Sequence, residues 1–160
     1  MRNCTKGFSL TELLIAVVII LLIAAIVIPN LLRSRIVGDG VSSVGCLRTL
    51  NTAEATYSST YGVGYSLTLS DLAPGPPGSS PTSTAAGLID SVLAGGSKSG
   101  YSFTYSPGTP DSTGCIKVYQ ITAVPITNST GTNYYYTDQS GVIRQNSTTT
   151  AASTDSPIAG

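Results

Sequence analysis

The stretch Phe8-Ser9-Leu10-Thr11-Glu12-Leu13-Leu14-Ile15-Ala16-Val17-Val18-Ile19-Ile20-Leu21-Leu22-Ile23-Ala24-Ala25-Ile26-Val27-Ile28 decides how this chain is read. It is 21 residues long, about 31 Å as a helix, enough to cross the hydrocarbon core of a bilayer. One charge interrupts it, Glu12. A carboxylate at the centre of a spanning helix costs roughly 2.5–3.5 kcal/mol on insertion scales, so an acid kept there needs an exit or a partner. One reading is interfacial: Glu12 lies near one end and reaches the headgroups. The other begins with the residues before it. Met1-Arg2-Asn3-Cys4-Thr5-Lys6-Gly7 is a short, polar, basic leader. Cleavage after Gly7 exposes a positive amine on Phe8, with Glu12 as the fifth residue of the processed chain. In an array of parallel helices, the Glu12 of one copy then pairs with the Phe8 amine of the next.

The run Lys6-Gly7-Phe8-Ser9-Leu10-Thr11-Glu12-Leu13-Leu14-Ile15, continued to Pro29 and Asn30, resembles the processing and methylation signal of type IV pilins and of their type II secretion relatives, the pseudopilins. The close resemblance covers about the first 30 residues. It implies removal of the leader after Gly7 by a prepilin peptidase, N-methylation of Phe8, and assembly of copies into a helical filament through Phe8 and Glu12. It also implies an inner-membrane precursor with a cytoplasmic N-terminus, an assembly platform and a cytoplasmic ATPase as partners, and an extracellular or periplasmic filament. A secretory signal fits less well. Leu13–Ile28 is longer than a usual apolar signal region, and no Ala-x-Ala site follows it.

Beyond Pro29 the helical pattern resumes. Val37, Val41, Val44, Leu47 and Leu50 recur at spacings of 4, 3, 3 and 3, and Tyr57 continues that face. This predicts an amphipathic helix laid on a sheet. Pro29 lacks an N–H and crowds the preceding turn, so a kink is expected there. Gly38, Gly40 and Gly45 lower helix stability by roughly 1 kcal/mol each relative to Ala. They either let the helix bend or admit a close neighbour.

The expected fold is α+β. A long N-terminal helix, membrane-spanning and then amphipathic, packs on a small antiparallel sheet of three or four strands. The expected divisions are a cleaved leader at 1–7, an assembly helix at 8–29 and its amphipathic continuation at 30–61. A loop with a short helix at 62–98, the sheet at 99–145 and a flexible Ser/Thr-rich tail at 146–160 follow. Within the loop, 73–84 is Pro/Gly/Ser-rich, and 87–94 reads as a short helix stopped by Gly95 and Gly96. Strands are expected at Tyr101–Tyr105 and Cys115–Val124, and a hairpin at Tyr134–Thr137 and Val142–Gln145.

Composition narrows the chemistry. There are 160 residues, 10% of them charged, and no histidine. That excludes His-based triads and His-ligated metal sites. The acids are scattered singly, no phosphate-binding Gly-rich loop is present, and no basic stripe suits nucleic acid. Neither catalytic residues, a cofactor nor a metal site is expected. Asp138 is the sole acid between Asn128 and Gln145, too few for the calcium site that major pseudopilins carry in that region, which favours a pilin. Asn128-Ser129-Thr130 and Asn146-Ser147-Thr148 match a glycosylation sequon. Cys4 leaves with the leader. Cys46 and Cys115 then form a disulfide worth about 4 kcal/mol for so long a loop, or stay as two buried thiols.

Three functions fit the sequence: a structural subunit of a type IV pilus serving adhesion, motility or DNA uptake; a pseudopilin of type II secretion; and a signal-anchored exported binding protein or enzyme. The last accounts for the span but not for Gly7, Phe8 and Glu12.

Overall fold

The computed structural model describes residues 8–158; Gly7, Cys4 and the rest of the expected leader lie outside them. The chain divides into two compact units, 1–35 and 36–160. Helix α1, Leu10–Tyr61, contributes to both.

In the first unit, every side chain of the apolar run is exposed except half-buried Ala24. The span is apolar enough to cross a membrane, with a mean hydropathy of 3.1 and none of it covered. A greasy helix without protein neighbours satisfies its own backbone and leaves its side chains for lipid or for other helices. The helical assignment continues unbroken through Pro29.

In the second unit, the rest of α1 packs on an antiparallel meander. Its strands are β1 (Ser97–Lys98), β2 (Tyr101–Pro107), β3 (Tyr119–Pro125), β4 (Tyr134–Asp138) and β5 (Arg144–Asn146), in that spatial order. The α+β class is as expected, with five strands among the described residues in place of three or four. The added strand, β1, is only two residues long. Such a fragment carries no periodicity to read. Leu47, Leu50, Ala53 and Tyr57 of α1 join Tyr101, Phe103, Ile121, Ala123 and Tyr135 of the sheet in one core. Alternation in β2 and β3 places these apolar residues on one face.

The helix stripe is phased differently at its start. Val37 and Val41 are 66% and 70% exposed, whereas Gly40 and Ser43 are buried. The sheet presents bulky tyrosines here. A Cβ on Gly40 would lie 3.0 Å from Tyr135 Oη and 3.7 Å from Tyr101 Oη, so small residues take the contact positions. Gly38 and Gly45 meet nothing within 4 Å.

The connection from α1 to the sheet is held by few regular elements. A 3-10 turn at Leu69–Leu72 opens with a capping box between Thr68 and Asp71. Helix α2 is shorter than expected, Ser91–Ala94, because the Asp90 carboxylate caps it, accepting from the N–H groups of Val92 and Leu93 at 3.1 and 3.0 Å. The expected strand from Cys115 begins only at Tyr119. Its first residues are drawn away instead: Cys115 N–H donates to Asp111 Oδ1 at 3.1 Å, and Ile116 pairs with Gly64 just past the helix.

Of the tail expected to be flexible, residues 146–158 are described, and they make specific bonds. After β5 the chain turns back. Arg144 pairs with Pro157, Gln145 N–H donates to Ser156 O at 3.1 Å and Ile158 N–H to Ile143 O at 2.9 Å, and Ala151 is buried. Asn146 anchors the turn: its Oδ1 accepts from Thr148 and Thr149 N–H groups at 2.9 and 3.2 Å, and its Nδ2 donates to Asp155 at 3.1 Å. Composition reads this segment as disordered because it hides such side-chain-to-backbone bonds.

Candidate functional site: the start of the long helix

The region that carries the strongest signal is the start of α1. Ser9 precedes the first helical residue, and its carbonyl accepts from Leu13 N–H at 3.2 Å. Glu12 Oε2 accepts from Ser9 N–H at 2.9 Å. The acid therefore closes one half of a capping box, satisfying a donor that the helix leaves open. Ser9 Oγ and Thr11 Oγ1 lie 2.7 Å apart. Glu12 also lies at the positive end of the helix dipole, where a carboxylate is favoured. Sequence reasoning missed this capping role, although Ser9-Leu10-Thr11-Glu12 is itself the Ser-x-x-Glu pattern.

Phe8, the residue expected to receive the new amine, is 78% exposed and sits four positions before Glu12. The structure brings Glu12 to Ser9 within one chain. A pairing with Phe8 of another copy is a matter of assembly. Around the same end, Leu10, Leu13, Leu14, Val17 and Val18 line an open, wholly apolar groove. Chemically, the described part of this end offers a carboxylate and a long uncovered apolar surface.

Cys46 and Cys115 are not brought together; both thiols are free. Ile116, beside Cys115, pairs with Gly64 beyond the helix C-terminus. Cys46 lies about four turns before that end, about 22 Å along the axis, and a disulfide needs Cα atoms within about 7 Å. Cys46 instead packs in the core, where burial pushes its thiol up.

A second acid escaped sequence reasoning altogether. Glu54 is fully buried. Its two oxygens accept from Ser66 N–H at 2.9 Å and Ser66 Oγ at 2.6 Å. Tyr105 Oη donates to Ser66 O at 2.8 Å. Burial raises the Glu54 carboxyl above its ordinary range, and the bonds from Ser66 oppose that shift. Next to it, Asn51 bridges helix and sheet, donating to Thr137 Oγ1 at 2.8 Å and accepting from Tyr119 Oη at 3.0 Å. These groups fasten the start of the connecting loop and the sheet to α1. No sequence signal marks Glu54, because its partner arrives from beyond the Gly62–Gly64 turn.

Residues 2–28 match the prokaryotic N-terminal methylation motif, the prepilin signature of type IV pilins and pseudopilins. No curated protein and no solved structure matches the chain. The signature is that of structural, pilin-like proteins made as membrane-anchored precursors.

Proposed function

We propose that this chain is a structural subunit of a type IV pilus, assembled from the inner membrane through its N-terminal helix into a filament serving adhesion, motility or DNA uptake. The observation that carries this reading is the methylation motif at residues 2–28, running into an apolar helix left without protein neighbours. A prepilin peptidase cuts between Gly7 and Phe8 and the new Phe8 amine is methylated. The helix waits in the membrane until copies pack together. Moving apolar side chains from lipid into a bundle of like helices gains little hydrophobic energy, since both surroundings are apolar. Register then comes from packing and from the attraction of Glu12 for the Phe8 amine of a neighbouring copy. A mis-registered subunit buries an unpaired charge, which is costly. Extraction from the membrane needs work from outside the chain, supplied by a platform and a cytoplasmic ATPase. A head-to-tail contact that repeats without closing makes a fibre.

The second reading is a pseudopilin, which shares the same N-terminal chemistry. Asp138, the sole acid between Asn128 and Gln145, spends one oxygen on its own turn, accepting from Ser140 N–H at 2.9 Å. This favours the pilin. The deciding experiment is N-terminal sequencing and mass measurement of the exported protein, with electron microscopy of sheared surface fibres. A chain starting at N-methylated Phe8 within surface fibres is expected. A start at Met1 or Arg2 contradicts processing, and a correctly processed chain absent from surface fibres points to the secretion apparatus.

A further inference from the structure

The sheet has an outer face that none of the preceding chemistry uses. Tyr119 Oη, Tyr105 Oη and Thr137 Oγ1 bond to α1 or to the loop after it. Alternation therefore turns Ser106, Gln120 and Asp138 away from the helix. The register sets these three in one row, Ser106 opposite Gln120 and Gln120 opposite Asp138. Tyr136 stands in the next row of the same face and is only 8% exposed. With Gln139 and Ser153, and with Pro107, Gly108, Val118 and Tyr119 alongside, these residues line an open hollow of about 390 Å³, within the size range of small-molecule sites.

Both rims are built. On one side the returning C-terminal segment, which carries Ser153, is held by Arg144, whose guanidinium donates to Asp155 O at 2.9 Å. On the other, Gly108 N–H donates to Val118 O at 2.8 Å; a Cβ on Gly108 would collide with the Val118 side chain. The Asp138 carboxylate is oriented by Ser140, whose N–H it accepts at 2.9 Å. The Ser140 hydroxyl donates to the same oxygen, Oδ1, so a ligand is left the other oxygen, which it shares with the neighbouring Tyr136 hydroxyl.

The lining selects by chemistry. Beside the apolar Pro107 and Val118, it offers one carboxylate that only accepts, two amides that donate and accept, two serine hydroxyls and the Tyr136 phenol. No lysine or arginine lines it; Arg144, paired with Tyr136 across the strands, turns its guanidinium to Asp155 O, so the charge in the lining itself is that of Asp138 and disfavours an anion. An apolar ligand leaves these polar groups unpaired, which is costly. A sugar's hydroxyls each donate and accept, and its carbon faces suit the Tyr136 ring. We propose that this outer-face cavity binds a neutral saccharide unit, with Asp138, Gln120 and Gln139 reading its hydroxyls. This holds for either filament reading, because it rests on the second compact unit and not on the N-terminal helix.

The test uses the full processed chain in a zwitterionic detergent without a sugar headgroup. Saturation-transfer NMR is run with glucose, galactose, N-acetylglucosamine and N-acetylneuraminic acid. At least one neutral sugar is expected to bind saturably at millimolar concentration, and the acidic sugar to show no transfer. Gln120→Arg, at an exposed strand position, fills the cavity with a cation and should abolish binding with an unchanged circular dichroism spectrum. Asp138→Asn should weaken it roughly fivefold, the loss of one charge-assisted bond. The proposal fails if no neutral sugar saturates the wild type, if binding survives Gln120→Arg, or if the acidic sugar binds equally well.

Discussion

Glu12 serves two ends that a substitution series separates. It caps α1 through Ser9, and in the proposed filament it carries the charge that seeks the Phe8 amine. Glu12→Gln keeps a side-chain oxygen for Ser9 N–H but removes the charge, while Glu12→Ala removes both. We expect both variants to insert into the membrane and both to fail in filament incorporation as sole subunits. The comparison of membrane and sheared-fibre fractions checks this; fibre yield restored by Gln would assign the role to capping alone. Glu54 behaves differently, because its pKa is raised. The folded state holds its proton more tightly than the unfolded chain does. Its stabilising effect is thus full below the ordinary carboxylate value of 4.5 and is lost as pH rises through the higher folded value. Stability measured by denaturant titration should fall across that window in the wild type, and Glu54→Gln should flatten this part of the profile. Identical pH profiles for the two would contradict the assignment. Glu54→Ala leaves Ser66 without its acceptors and should cost about 1–3 kcal/mol.

At the scale of the elements, α1 shows which parts of the chain its sequence discloses. The long apolar run with its single acid is legible by its length, and the later Leu47–Leu50–Tyr57 stripe and the alternation in β2 by their period. The start of the stripe is not. Val37 and Val41 look like core and are exposed, since the sheet meets the helix there with tyrosine hydroxyls and only Gly40 and Ser43 are small enough to face them. Partner size is tertiary information that no window of sequence contains. The late start of β3 and the folded-back C-terminal segment have the same origin: polar side chains of Asp111 and Asn146 capture nearby backbone donors. The glycines give a direct check. Gly45→Ala, with nothing within 4 Å of the new Cβ, should stabilise the folded unit by about 1 kcal/mol. Gly40→Ala should gain less or lose, because Tyr135 Oη lies 3.0 Å from the new Cβ. Equal gains at both positions in denaturant titrations would refute the close-packing role of Gly40.

The whole molecule joins two solutions to two solvents. Residues 36–158 bury a core of their own in water, while the apolar run from Phe8 to Ile28 leaves its surface for lipid or for copies of itself. In the proposed filament, cleavage at the leader junction decides when the second use begins. Gly7→Glu should block cleavage, so that the precursor keeps Arg2 and Lys6, stays in the membrane fraction and yields no fibres; a processed mass for that variant would contradict the assigned junction. The most direct test of the whole account is a side-chain-resolution electron cryomicroscopy map of purified fibres. The account predicts α1 helices packed side by side, with each Glu12 carboxylate within about 4 Å of a neighbouring copy's methylated Phe8 amine. Helices held apart, or a Glu12 facing no cation, would contradict it.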